Sequence, residues 1–430
     1  MIGVLLVFYV VAFVLGIKRP TAFVIFYVLA STKFLGFLDP STFIFSGLEL
    51  GYFGLNLIAL LCAFFSKKWF LVPRVLFAYI FLIVLILLHG ILKPVMDYNS
   101  SLIQAIMASK EIWYYFLFFY LVVYRDDIND EELFKGIKTI GVYLSLVYVI
   151  GYFIPVIRPP LYDNVTYIRT FFPTYISLAL FFYAIRLKFS NSRNLYDRVV
   201  VVILFLGLFF AAHLSLTIMT LAGFVLYKYV YNIKLNVDRY SVKKFAFVVF
   251  VGVCMTIIFF EGFYDAAKLN IDQIISGEDN ALSSRDVYNA FRWEVIERSK
   301  SFGHGFIHQS SNLMKTVSTV GNNRFMERLT VIDSGYVDMF LKFGYIGTAI
   351  ILLVMSRYYL LGFVKKHKNP LSLAMSIYLA QYYFINYTWS VYTFAHGIIP
   401  GVIALYLLAK NLQSWEVIKS EVRTQQINGI

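Results

Sequence analysis

Arg285 and Arg292 stand seven residues apart in the run from Ser283 to Ile296, a spacing of two helical turns that projects both guanidinium groups from roughly the same side. Ser283 and Ser284 suit an N-cap, and Val287, Phe291 and Val295 repeat on one helical face. Arginine in such a place has two uses. Its planar fork binds phosphate bidentately and stays charged at any relevant pH, or it lies on a solvated face and pairs with Asp286, Glu294 and Glu297. Further along, His304 and His308 titrate near neutrality, which suits either a proton acceptor or an ordinary loop histidine. Arg324 and Arg328 extend a basic wall or pair on the surface with Glu327. Asp333 directly precedes an apolar run. There it reads as a helix N-cap.

These residues sit in a chain that soluble packing cannot accommodate. Of its 430 residues 60% are hydrophobic and only 15% charged, with a mean hydropathy of +0.70, so lipid is the expected solvent. The apolar residues come in blocks of about 15 to 23, the length of a helix that crosses a hydrocarbon core of about 30 Å. A barrel would instead alternate apolar and polar residues over segments of about ten. The predicted architecture is an all-α polytopic membrane protein of about 13 spans (12–14). They are placed at 2–17, 21–38, 43–65, 70–92, 102–124, 136–157, 171–185, 199–213, 214–232, 244–262, 335–361, 371–388 and 391–411, and the pair within 199–232 is alternatively one tilted helix with a tail. Every second break is basic, for example Lys18 and Arg19, Lys67 and Lys68, and Lys365, Lys366 and Lys368. That pattern turns those breaks to the cytoplasm, with the N-terminus outside and the C-terminus inside. The net charge of +13 is then topological, and no nucleic-acid partner follows. The N-terminal run has its positive residues behind it and no small-residue cleavage site, unlike a signal peptide.

The organisation read from this is a transmembrane bundle over 1–262, a long outer loop with short helices over 263–333, further spans over 334–412 and a cytoplasmic tail over 413–430. Loops of such length are usually functional. Cys62 and Cys254 lie inside apolar runs without a CxxC partner, so neither a disulfide framework nor a metal site is expected. Nucleotide-binding glycine patterns and H-E-x-x-H are also missing from the sequence. Chemical work would therefore draw on a substrate's own leaving group or on a gradient. Lys33, Glu49, His89, Lys110, Glu111, His213 and His396 fall in or near spans, where charge is costly and marks interhelical pairing or function. Lys93 and Arg158 read as interface anchors.

Three segments carry a family resemblance. Arg292-Trp-Glu, eight residues, then Gly303-His-Gly-Phe306 resembles the opening of the signature region of bacterial O-antigen polymerases (Wzy) and the related O-antigen ligases. Asp333-Ser-Gly-Tyr-Val-Asp-Met-Phe-Leu-Lys-Phe-Gly344-Tyr-Ile-Gly347 is similar to the family's His/Asp-x-x-Tyr-Leu segment with its two glycines, again with ten residues before the first glycine. Tyr167-Ile-Arg169-Thr-Phe-Phe-Pro173 looks like the arginine segment of the family's other outer loop. Ligases carry His where Asp333 stands, which favours the polymerase branch. At Ala212-His213-Leu-Ser-Leu-Thr217, where relatives often have Ser-Arg, there is no arginine.

The resemblance implies a GT-C-like fold in the bacterial inner membrane and a metal-independent glycosyltransferase without cofactors. Its substrates would be oligosaccharide repeat units on undecaprenyl pyrophosphate, as in lipopolysaccharide biosynthesis. A sugar hydroxyl of one unit attacks the anomeric carbon of the chain on the other lipid, and pyrophosphate leaves. Arg169, Arg285 and Arg292 would hold the diphosphate and Asp333 would take the proton. Membrane lipids and a chain-length regulator protein are the implied partners. A flippase or transporter for the same lipid-linked sugar is the alternative from another class, and it would show paired halves with interrupted helices.

Overall fold

The computed structural model describes residues 2–32, 44–45, 48–66, 68, 74–154, 172–189, 195–211, 213–232, 292–308, 311, 334–364 and 370–428. The helices are α1 (Ile2–Lys18), α2 (Pro20–Ser31), α3 (Leu50–Phe65), α4 (Arg74–Tyr98), α5 (Leu102–Ala108), a 3₁₀ helix (Lys110–Tyr115), α6 (Phe116–Val123) and α7 (Asp130–Phe153). They continue with α8 (Pro173–Phe189), α9 (Leu195–Phe210), α10 (Leu214–Asn232), α11 (Gly335–Val364), α12 (Pro370–Thr388) and α13 (Ala395–Asn428). Among the described residues four stretches are long and apolar enough to cross a membrane: Ile80–Tyr98, Asp130–Gly151, Gly335–Leu360 and Ala395–Leu412. Counting the bent pair Leu102–Ala108 and Lys110–Val123 as one span makes five. Apolar side chains such as Phe64, Phe153 and Leu353 face outward, as lipid in place of water requires.

Local chemistry sets where the helices start. Proline opens α2, α8 and α12 at the first position, where its missing N–H costs nothing. Asn129 caps α7 by accepting from the Glu131 and Glu132 amides at 3.0 and 3.3 Å, and Asp130, Glu131 and Glu132 complement the positive helix end. Ser101 and Gln104 form a reciprocal capping box on α5.

Helix α12 lies at the centre, packed on α8, α10, α11 and α13, while α7 packs on α8 and α9. Tyrosines pin these helices together, because a phenol hydroxyl away from water needs a partner. Tyr120 donates to the Gly16 carbonyl at 2.8 Å, Tyr378 to the Thr174 carbonyl at 3.1 Å and Tyr382 to the Gly397 carbonyl at 2.9 Å. Tyr175 exchanges a 2.8 Å bond with Ser31, and Tyr27 donates to Asn56 Oδ1.

Several predicted spans are reshaped. Residues 44–45 and 48–49 of the span 43–65 are not helical. Ile44–Phe45 pairs antiparallel with Leu48–Glu49, so Glu49 sits on a strand and the helix begins at Leu50. The intervening Ser-Gly pair in the sequence is a turn signal that outweighs the apolar pattern. The predicted span 102–124 breaks at Ser109, and its two halves meet at 63°. Residues 199–232 resolve into two helices, α9 and α10, rather than one. Helix α13 starts at Ala395 and runs on to Asn428, and its apolar stretch is Ala395–Leu412. The predicted span 244–262 lies outside the described residues.

Candidate functional site

Two helices near the glycines of the resembling segments carry defects, and one segment mends both. Pro94 lies inside α4, and with no N–H it leaves the carbonyl of Gly90 without its helical donor. The Phe306 amide supplies the missing bond at 2.7 Å. Helix α11 is interrupted at Gly344, whose φ of 65° and ψ of −174° belong to a region open essentially to glycine alone. That interruption strips helical partners from carbonyls before it and amides after it. His304 and Gly305 donate to the Leu341 and Lys342 carbonyls at 2.7 and 3.0 Å. Tyr345 and Ile346 donate to the Lys300 and Ser301 carbonyls at 2.7 and 3.0 Å. Residues 300–306 thus form a strap that is hydrogen-bonded to both helices.

The strap needs glycine as much as the helix does. Gly303 and Gly305 have φ of 70° and 74°. A methyl group on Gly303 would fall within 2.6 Å of Gly344 N and the Lys342 carbonyl, and one on Gly305 would fall within 2.7 Å of the Gly90 oxygen and Pro94. The glycines that close the two ten-residue sequence spacings, Gly303 and Gly344, are therefore packed backbone to backbone.

Arg292 opens the helical turn 292–297 that leads into the strap and is buried, at 7% exposure. It is therefore not on a solvated face, and Asp286, one of the carboxylates near it in sequence, lies outside the described residues. Glu294 pairs with Arg298 at 3.0 Å, and Glu297 pairs with Lys300 at 3.6 Å and accepts from Tyr345 at 3.2 Å. The turn carrying Arg292 is pulled inward because Val295 and Ile296 bury against Val337 and Leu341 of α11, with Tyr98, Trp293 and Phe340 around them. This sets the Arg292 turn beside the first turns of α11, and Asp333 lies two residues before that helix in sequence.

His304 is not a solvated loop residue. It is 1% exposed, its Nε2 lies 2.6 Å from the Val295 carbonyl and its Nδ1 bonds to the Tyr98 hydroxyl. With Nε2–H donating to the carbonyl and Nδ1 accepting from the phenol, the ring is neutral and both nitrogens are occupied. Burial pushes its pKa below the ordinary histidine value, partly opposed by the Val295 carbonyl. His308 is half-buried. Asp333, Arg169, Arg285, Arg324 and Arg328 lie outside the described residues, as do Lys33, Arg158 and Cys254.

Other polar groups gather at the same end of the bundle. Asp338 and Lys342 on α11 form an ion pair at 2.7 Å, with side chains 1% and 17% exposed, and the Lys342 ammonium lies 5.6 Å from the centre of the Phe394 ring. Beside it His213, Trp389, His396 and Phe394 stack in a column, with centroids 4.3, 4.1 and 5.7 Å apart in turn. Glu111, on the 3₁₀ turn that follows the break at Ser109, accepts from the Ala395 amide at 2.8 Å and so caps α13 with a negative charge. Lys110 is exposed on the same 3₁₀ turn, and Lys93 pairs with Asp97 at 2.8 Å along α4. Sequence reading passed over Asp338 and Lys342, although an Asp and a Lys four apart in an apolar helix is a visible sign of an intrahelical pair. It also passed over Pro94 standing four residues after Gly90. Among the described residues no group of three His, Cys, Asp or Glu side chains converges.

Chemically, this end offers a buried guanidinium next to a rigid backbone junction, a buried ion pair and a histidine held neutral. No protein-family model and no curated protein matches the chain.

Proposed function

We propose that this protein polymerises oligosaccharide repeat units carried on undecaprenyl pyrophosphate, as O-antigen polymerases do, at the outer face of a bacterial inner membrane. In this reading the chain is a GT-C-like bundle of about 13 spans with the strap and the starts of α11 and α13 on the outer side. One observation carries the reading. Two segments singled out separately by their resemblance to the family, Arg292 to Gly303 and Asp333 to Gly344, are interlocked through Gly303 and Gly344. Interlocking brings a buried arginine to the same helix start that Asp333 precedes. Arg292 would then neutralise the leaving diphosphate, with Arg169 and Arg285 as further cations, while Asp333 accepts the proton of the attacking sugar hydroxyl.

The interrupted helices at Ser109 and Gly344 are a feature that a flippase would share, so the experiment must separate the two. Purified protein is reconstituted with synthetic undecaprenyl-pyrophosphate repeat units, and the products are scored as chain ladders on a gel. Ladders from the wild type, lost in Arg292→Ala and Asp333→Asn at unchanged thermal stability, support the polymerase. Full ladders in both variants sink the site. Transfer of the unit between leaflets without any ladder would favour the flippase.

A further inference from the structure

We infer that Asn386 of α12 is a positioning residue: it sets where the first turn of α11 stands, and through that turn the carboxylate of Asp333. Asn386 is fully buried, and its side-chain amide lies against Gly335, the first residue of α11. A methyl group on Gly335 would fall 2.0 Å from Oδ1 and 2.5 Å from Cγ of Asn386, so the amide fills the place a Cβ would take. Asn386 Nδ2 donates to the Met339 sulfur at 3.4 Å, one turn along α11. One turn back along α12, the Tyr383 carbonyl accepts from the Tyr336 hydroxyl at 2.6 Å. The last turns of α12 thus grip the first turns of α11 at Gly335, Tyr336 and Met339, and the Arg292 turn packs on Val337 and Leu341 of the same stretch.

Packing alone does not call for an amide at this position. A thioether is a weak acceptor, and Asn386 Oδ1 finds no donor among the described residues. A buried polar atom in that state is destabilising. A leucine of similar volume would avoid that cost, but its Cγ is tetrahedral and carries two methyl groups. The flat amide lets the α11 backbone come closer. The Ser334 carbonyl accepts from the Asp338 amide at 3.0 Å, so the helical ladder opens at Ser334, with Asp333 the residue before it in sequence. Two residues of chain span at most about 7 Å, and Asp333 is therefore tied to wherever Gly335 is held. A displacement of about 1 Å in a reacting group can cost roughly 100-fold in rate. The role of Asp333 belongs to the proposed function, whereas the grip of Asn386 on α11 stands on the geometry alone.

The test compares Gly335→Ala, Asn386→Ala and the double variant, using the full chain reconstituted with the synthetic undecaprenyl-pyrophosphate repeat unit. Rates are counted per folded molecule. Gly335→Ala pushes α11 off the amide and Asn386→Ala leaves it unbraced, so each is expected to lower kcat by about tenfold or more, with KM within about twofold of the wild type. In the double variant the methyl at 335 stands where the amide stood, and kcat is expected to rise about fivefold or more above either single. A packing role without positioning would lower Tm in the singles and leave kcat unchanged. That result, or a double variant no faster than the singles, overturns the inference. Amide exchange without substrate is read in parallel at Asp338 to Leu341. It should quicken in both singles and return toward the wild type in the double, and unaltered exchange in the singles refutes the grip. Should Gly335→Ala fail to fold, Asn386→Ala decides through its kcat and its exchange. If the wild type makes no polymer, the polymerase reading falls while exchange still judges the grip. Polymer at the wild-type rate from all three variants keeps the polymerase and sinks the positioning role.

Discussion

Replacing Gly344 with alanine should unfasten the strap while leaving the rest of the bundle standing. Gly344 holds φ 65° and ψ −174°, a conformation that costs any other residue about 1–3 kcal/mol. The new methyl group would also press on the backbone nitrogens of Gly303 and Phe302. Relief requires the strap to move away, at the expense of the bonds that Tyr345 and Ile346 make to Lys300 and Ser301. Losing two backbone bonds, each worth roughly 1 kcal/mol net, brings the local penalty to about 3–5 kcal/mol. At 1.4 kcal/mol per decade, amide exchange at Tyr345, Ile346, Gly305 and Phe306 should quicken by roughly 10²- to 10³-fold. Hydrogen–deuterium exchange on purified protein reads this directly. Gly3→Ala is the control, because its added methyl group meets nothing within 4 Å, and it should leave exchange at the strap unaltered. If Gly344→Ala shows wild-type protection at those four amides, the mutual repair of strap and helix is wrong.

The Asp338–Lys342 pair should behave as a buried unit. Asp338→Asn or Lys342→Met alone leaves an uncompensated group and should cost about 3–5 kcal/mol, roughly 6–10 °C of Tm in a detergent melt. The double replacement by Leu and Met should recover much of that loss, and strict additivity of the two singles would contradict a direct pair. His304 gives a pH dependence whose sign is fixed by its lowered pKa. The unfolded chain takes up a proton near pH 6.5 while the folded ring resists, so the stabilisation is complete above that pH and declines below it. Protection at Gly303 and Gly305 should therefore weaken between pH 7.5 and 5, and His304→Gln should flatten that dependence. Glu111→Gln removes the charge that caps α13 and should lower stability by about 0.5–2 kcal/mol, measured by thermal unfolding at low and high salt. A larger effect at high salt would contradict an electrostatic role.

Helix type and approximate position were legible in the sequence because long apolar runs bounded by charge leave few alternatives in lipid. What the hydropathy pattern could not show is where such a run is interrupted. Ser109 and Gly344 both lie inside stretches that read as continuous spans, and their breaks depend on tertiary partners, Ala395 for Glu111 and the strap for Gly344. In the same way Arg292 reads as a surface residue from its charged neighbours. Its burial follows from Val295 and Ile296 finding a home on α11, a long-range contact that local spacing does not encode. In the sequence Gly303 and Gly344 stand out by their equal distance from Arg292 and Asp333. Their backbone angles and their mutual contact supply the physical reason for that spacing.

The strap is also a gauge of fixed length between two helices. Lys300 and Ser301 accept from α11, His304 and Gly305 donate to it, and Phe306 donates to α4. One residue added between 300 and 306 would shift these bonds out of register, so the separation of α4 from the interrupted α11 is written into the residue count of the strap.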